Sequence, residues 1–82
     1  MTTEQREKLE SLLNYLDRRM DKIEDKMELA ERDGDFERVE RLDRTHDTLL
    51  ARQNQVFEVL NILGYSARWG EDTDYKYIIL DD

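Results

Sequence analysis

The stretch LAERDGDFERV, Leu29 to Val39, decides the fold. Apolar residues at helical spacing run up to it and resume beyond it, and Asp33-Gly34-Asp35 lies between. Gly34 reaches positive φ without a Cβ penalty and so ends a helix. Asp35 offers a carboxylate to the free N–H groups that open the next one. Backward from this turn, Ala30, Met27, Ile23, Met20, Leu16, Leu13 and Leu9 alternate steps of three and four, the spacing of a heptad seam. Forward from it, Val39, Leu42, His46, Leu49, Gln53, Val56, Leu60 and Leu63 do the same. The two series mirror each other about the turn: Ala30 with Val39, Ile23 with His46, Leu16 with Gln53, Leu9 with Leu60. Helices joined by a short turn run antiparallel, and mirrored seams are what such a pair packs together.

The spacing therefore predicts helices over about 3–32 and 36–63, with a turn at 33–35. Thr2 and Gln5 suit a capping box at the start, and Gly64 is placed to end the second helix. Each helix would be roughly 42–45 Å long at 1.5 Å per residue. His46 and Gln53 place polar groups in the second seam. A single imidazole without a second His or Cys lacks a metal coordination set. The pair reads instead as a device that fixes register or oligomer state.

The flanks of the seam differ in charge. On the first helix one flank runs Glu7, Glu10, Asn14, Asp17, Asp21, Glu24, Glu28 and Glu31, acidic at every position but Asn14. The other flank carries Lys8, Arg19, Lys22 and Lys26, joined by Arg38 and Arg52 from the second helix. Ion pairs within the helix, Arg6 with Glu10, Arg18 with Asp21 and Glu28 with Arg32, are offset by the like-charged neighbours Asp17, Asp21, Glu24 and Glu28. Local pairing does not account for the stripe. Phe36, Leu50 and Phe57 form a second apolar line on the acidic side, interrupted by Asp43. A seam plus such a line is the wide apolar face of a bundle helix. A symmetric antiparallel homodimer, a four-helix bundle, is the simplest way to cover it.

The end of the chain, RWGEDTDYKYIILDD, reads differently. Tyr65, Ala67 and Trp69 alternate with polar residues, as do Tyr75, Tyr77 and Ile79 with Lys76, Ile78 and Leu80. Gly70 to Asp74 is turn material, which predicts a β-hairpin over about 65–80 with a five-residue loop. An isolated hairpin is marginal in water. The open end of the helices, widened by Leu12, Tyr15, Phe57, Val59 and Ile62, offers it a surface. Tyr65, Trp69, Tyr77, Tyr75 and Ile79 are expected to face that surface. Ile78 and Leu80 are then left on a strand edge open to a partner by strand addition, with Glu71, Asp72, Asp74, Asp81 and Asp82 as gatekeeper charge.

The fold expected is mainly α: one domain over 1–82, a long antiparallel coiled-coil-like helical hairpin followed by a short β-hairpin. With 21 acidic against 13 basic residues the net charge is −8. Neutralising a phosphate backbone needs an excess of Lys and Arg, so direct nucleic-acid binding is not expected. There is no run of about 20 apolar residues to span a membrane and no signal-peptide core at the start, which points to the cytoplasm. Without Cys there is no disulfide or thiolate site, and a chain this short often leans on association instead. No nucleophile stands near a base, and no glycine-rich phosphate loop is present. Asp72 and Asp74 have a calcium-like spacing without the rest of the loop pattern. No enzyme activity and no cofactor is expected. Two functional readings follow. One is a protein-binding module whose stripe of Glu10, Asp17, Asp21, Glu24, Glu28 and Glu31 occupies a partner's basic nucleic-acid-binding surface. In size and charge it matches the small acidic inhibitors of phages and mobile elements, anti-CRISPR proteins among them. The other is a structural homodimer assembled through Phe36, Leu50 and Phe57.

Overall fold

The computed structural model of the chain describes residues 2–71 and 76–81. The order is α1 (Thr3–Arg32), α2 (Phe36–Ile62), β1 (Ser66–Glu71) and β2 (Lys76–Asp81). The capping box forms as expected, with the Thr2 N–H donating to Gln5 Oε1 at 2.9 Å and the Gln5 N–H to Thr2 Oγ1 at 3.1 Å. At the turn, the Asp35 N–H donates to the Ala30 carbonyl at 2.9 Å and Gly34, with φ 72°, to Glu31 at 3.1 Å. This is a Schellman motif. The Asp35 carboxylate then caps α2, accepting from the Arg38 N–H at 3.3 Å.

The motif recurs at the end of α2: the Tyr65 N–H reaches the Leu60 carbonyl at 2.9 Å and Gly64, φ 91°, reaches Asn61 at 3.1 Å. Its consequence is positional. Tyr65 folds back onto Leu60, and the tail is aimed at the open end of the hairpin rather than away from it.

Leu13, Leu16, Met20, Ile23 and Ala30 of α1 and Leu49, Gln53 and Leu60 of α2 are buried, so the mirrored seams meet along most of their length. The polar seam residues find partners on α1. His46 Nε2 lies 3.0 Å from Glu24 Oε1, and Gln53 Nε2 donates to the Leu13 carbonyl at 3.4 Å. Two apolar clusters result. Leu16, Met20, Ile23 and Leu49 fill the middle of the hairpin. Leu13, Leu60, Ile78 and Leu80 fill the open end, with Leu9, Val56, Phe57 and Tyr65 against them.

The tail is the expected antiparallel β-hairpin, but its second strand faces the other way. Ile78 and Leu80 are 3% and 1% exposed; they are core residues, not an outward edge. The physical reason is parity. The ladder pairs Trp69 with Ile78 and closes at Glu71 with Lys76, so an odd-numbered residue faces an even-numbered one at every rung. A five-residue loop would have paired odd with odd. Because side chains alternate with period two, a one-residue change moves the whole strand face. Tyr77 and Ile79 thus lie on the side away from the helices, where they close over Gly70: a Cβ there would meet Ile79 Cδ1 at 2.5 Å and the Tyr77 ring at 2.9 Å. Trp69 shares the helix-facing side with Ile78 yet stays 55% exposed. Of the residues expected to face the helices, Tyr65 does pack there, against Ile78 and Leu80, which take the places expected of Tyr77 and Ile79. The expectations for Asp72, Asp74, Tyr75 and Asp82, and for the Glu71 side chain, lie outside what is described. Arg68 Nε donates to Asp81 Oδ2 at 2.6 Å across the outer side.

The outer edge of β2 is also occupied. In an antiparallel strand the N–H and C=O of one residue point to the same edge, and alternate residues use opposite edges. Ile78 and Leu80 point away from β1, toward α1. There the Asn14 amide pairs with Ile78 as a peptide group would: Oδ1 accepts from the Ile78 N–H at 2.6 Å and Nδ2 donates to the Ile78 carbonyl at 3.1 Å. Glu10 Oε1 accepts from the Leu80 N–H at 3.0 Å. The spacings match, since four residues of helix rise about 6 Å and two residues of strand about 6.6 Å. Strand addition at this edge would have to displace both side chains.

Candidate functional site

The charged surface follows one rule. The residue after each seam position lies about 100° around its helix. On α1 these are Glu10, Asn14, Asp17, Asp21, Glu24, Glu28 and Glu31; on α2 they are Glu40, Asp43, Asp47, Leu50, Asn54, Phe57 and Asn61. The residues before each seam position lie on the other side: Lys8, Leu12, Tyr15, Arg19, Lys22, Lys26 and Leu29, with Arg38, Arg41, Thr45, Thr48, Arg52, Gln55, Val59 and Ile62. Two antiparallel helices run in opposite directions and also face each other. These reversals cancel, so both following sets share one face of the hairpin and both preceding sets share the opposite face. The contacts agree: the tail bonds to Glu10 and Asn14 and packs against Phe57, all members of the following set.

One face is thus purely acidic among its charged residues, and the other purely basic. Glu40 and Asp47, one residue past their seam positions, extend the acidic face beyond the α1 stripe onto α2. The expected stripe residues do not all stand free. Glu10 bonds to Leu80 rather than to Arg6, Glu24 pairs with His46, and Glu28 Oε1 accepts from Arg32 at 2.9 Å. Asp17, Asp21 and Glu31 make no ion pair among the described residues. The pKa of Asp17 is raised above the ordinary value of 3.8, first by partial burial and then by the charges of Asp21 and Glu24. Like charge crowded on this face thus adds to the effect of burial at Asp17.

The apolar line on the acidic face is split. Phe57 packs against the tail cluster, whereas Phe36 is 70% and Leu50 39% exposed. On the basic face Leu12, Tyr15, Leu29, Val59 and Ile62 are exposed, and the Arg19 guanidinium sits 5.8 Å from the centre of the Tyr15 ring.

Two open grooves flank the tail. One, about 570 Å³, is lined by Phe57, Glu58, Asn61, Tyr65, Arg68 and Trp69 among others. The second, about 610 Å³, lies at the open end between Gln5, Lys8, Leu9, Leu63 and Tyr65. Neither brings a nucleophile to a base. Among the described residues no three His, Cys, Asp or Glu side chains are placed to hold a metal ion, and no helix is long and apolar enough to cross a membrane. No protein family, curated protein or solved structure matches the chain.

Proposed function

We propose that the chain is a non-enzymatic protein-binding module, acting in the cytoplasm, whose acidic face occupies a basic nucleic-acid-binding surface of a partner protein. The observation that carries this reading is the sorting of charge: among the positions that follow the seam, from Glu10 to Glu31 on α1 and Glu40 to Asp47 on α2, there is no Lys or Arg, and Arg32 reaches Glu28 from outside the row. On α1 the row runs about 30 Å along a helix, so its charges are held in fixed relative positions, as phosphates are on a nucleic acid. A surface of one sign steers a partner of the other at long range and raises the association rate. Exposed Phe36 and Leu50 on the same face supply apolar contact once the partner arrives. The biological setting this reading implies is that of a small acidic inhibitor of the anti-CRISPR or anti-defence kind.

The test is affinity capture with the wild-type chain and with a chain carrying Asp17→Lys, Asp21→Lys, Glu24→Lys and Glu28→Lys. The wild type should retain a basic nucleic-acid-binding protein at low salt and release it to heparin. The reversed chain should keep its helicity by circular dichroism and retain nothing. Capture unaffected by the reversal removes the reading.

A structural homodimer through Phe36 and Leu50 is the second reading, favoured by the exposure of Phe36. A twofold contact through that face also sets carboxylates against carboxylates, which ranks it below the first.

A further inference from the structure

The basic face has no place in the function proposed above. We propose that it is a docking surface for the acidic face of a second copy of this chain, in a head-to-tail contact rather than a twofold one.

Among the described residues Lys22, Lys26, Arg38, Arg41 and Arg52 make no ion pair, and neither do Asp17, Asp21, Glu31 or Asp47 on the opposite face. Each face therefore presents charge that its own chain leaves unneutralised. The two charged zones also occupy the same part of the molecule. The basic zone spans Arg19 to Lys26 on α1 and Arg38 to Arg52 on α2; the acidic zone spans Asp17 to Glu31 and Glu40 to Asp47. Both lie toward the turn, clear of the β-hairpin, which bonds to α1 at Glu10 and Asn14. Face on like face would place charges of one sign together, and like charges directly opposed are unfavourable. Face on opposite face pairs them. Such a contact uses a different patch on each copy, so it does not stop at two unless the rotation happens to close a ring.

The contact is small. A zone about 22 Å long and two helix diameters of about 10 Å wide gives roughly 440 Å² per copy. That is under about 1,200 Å² in total, the range of weak and transient encounters. The net charge of −8 opposes approach at long range. Association should therefore be weak, visible only at low salt, and erased as screening shortens the Debye length from about 10 Å at 0.1 M to about 3 Å at 1 M.

Sedimentation equilibrium on the intact chain tests this, together with two neutralised variants. One carries Lys22→Gln, Lys26→Gln, Arg41→Gln and Arg52→Gln; the other carries Asp17→Asn, Asp21→Asn, Glu31→Gln and Asp47→Asn. The wild-type mass should rise with concentration past that of two chains at low salt and fall to one chain at high salt. Each variant alone should remain a single chain, and a one-to-one mixture should recover a complex of two. Single-chain mass for the wild type throughout overturns the proposal without recourse to the variants. So does a plateau at two chains, salt-insensitive association, or either variant dimerising alone. A mixture that stays monomeric overturns it, as does a basic face that binds a short single-stranded oligonucleotide but no second copy. Partner capture by the acidic face is independent: the variant neutralised on its basic face keeps the acidic face intact.

Discussion

Asn14 joins the tail to the helices, and replacing it with Ala isolates that junction. Its amide holds both backbone groups of Ile78, at 2.6 and 3.1 Å. Losing two hydrogen bonds, with the Ile78 N–H and C=O left facing an apolar methyl, costs about 1–3 kcal/mol. Ala is the better helix former, which returns up to about 0.7 kcal/mol. The net loss is about 1–2 kcal/mol. For a domain of this size each kcal/mol lowers Tm by about 4–8 °C, so a fall of roughly 5–15 °C is expected by circular dichroism. A second readout locates the damage: amide hydrogen exchange at Ile78 should speed up, while amides in the middle of the hairpin, such as Met20 and Leu49, slow or quicken only with global stability. An unchanged or raised Tm, with Ile78 still protected, would refute the reasoning, because water would then be serving the strand as well as the amide does.

Other expectations can be checked alongside it. Leu80→Ala should cost about 2–5 kcal/mol, since the side chain is 1% exposed, whereas Trp69→Ala should cost clearly less; denaturant titration orders the two, and the reverse order would count against the strand facing described here. Gly70→Ala should cost about 1–3 kcal/mol by overpacking, because the new methyl meets Ile79 and Tyr77; a neutral result in thermal melts would mean the Tyr77 ring swings aside freely. The raised pKa of Asp17 has a defined sign. Its charged form is disfavoured by folding, so the group contributes no penalty below the ordinary value of 3.8 and a growing penalty as pH rises through the raised folded value. Asp17→Asn should therefore stabilise the chain at neutral pH and lose that advantage on acidification, as read from Tm against pH.

The helical hairpin could be read from the sequence because three independent signals agree on it. Seam spacing sets the packed faces, Thr2 and Asp35 set the starts, and Gly34 and Gly64 set the ends. Each acts over a few residues, so none depends on distant context. The tail was legible as a hairpin but not in its facing, because tyrosine and isoleucine alternate with isoleucine and leucine and either set could be the apolar one. Only the rung that closes the loop decides, and composition does not report it. Asn14 and Glu10 escaped for another reason. They stand among polar residues on a flank, where nothing local separates a solvated amide from one that serves a strand sixty residues away. The charged faces were partly legible: the α1 stripe stood out as a run, while Glu40 and Asp47 emerge only once the seam is used as the ruler.

The docking of β2 on α1 also orders the events of folding. Seam pairs near the turn are close in sequence, Ala30 and Val39 being nine positions apart, and each further pair closes a longer loop, so the hairpin can zip outward in small entropic steps. Asn14 and Ile78 are separated by 64 positions and Glu10 and Leu80 by 70. Those contacts become affordable only after the helices have brought the ends together. The open-end cluster is therefore completed last, and on a ribosome its final two apolar members, Ile78 and Leu80, emerge after everything they pack against. Pulse-labelling during refolding should find the Ile78 amide protected later than those of Met20 and Leu49, and a strand that acquired protection first would reverse this order.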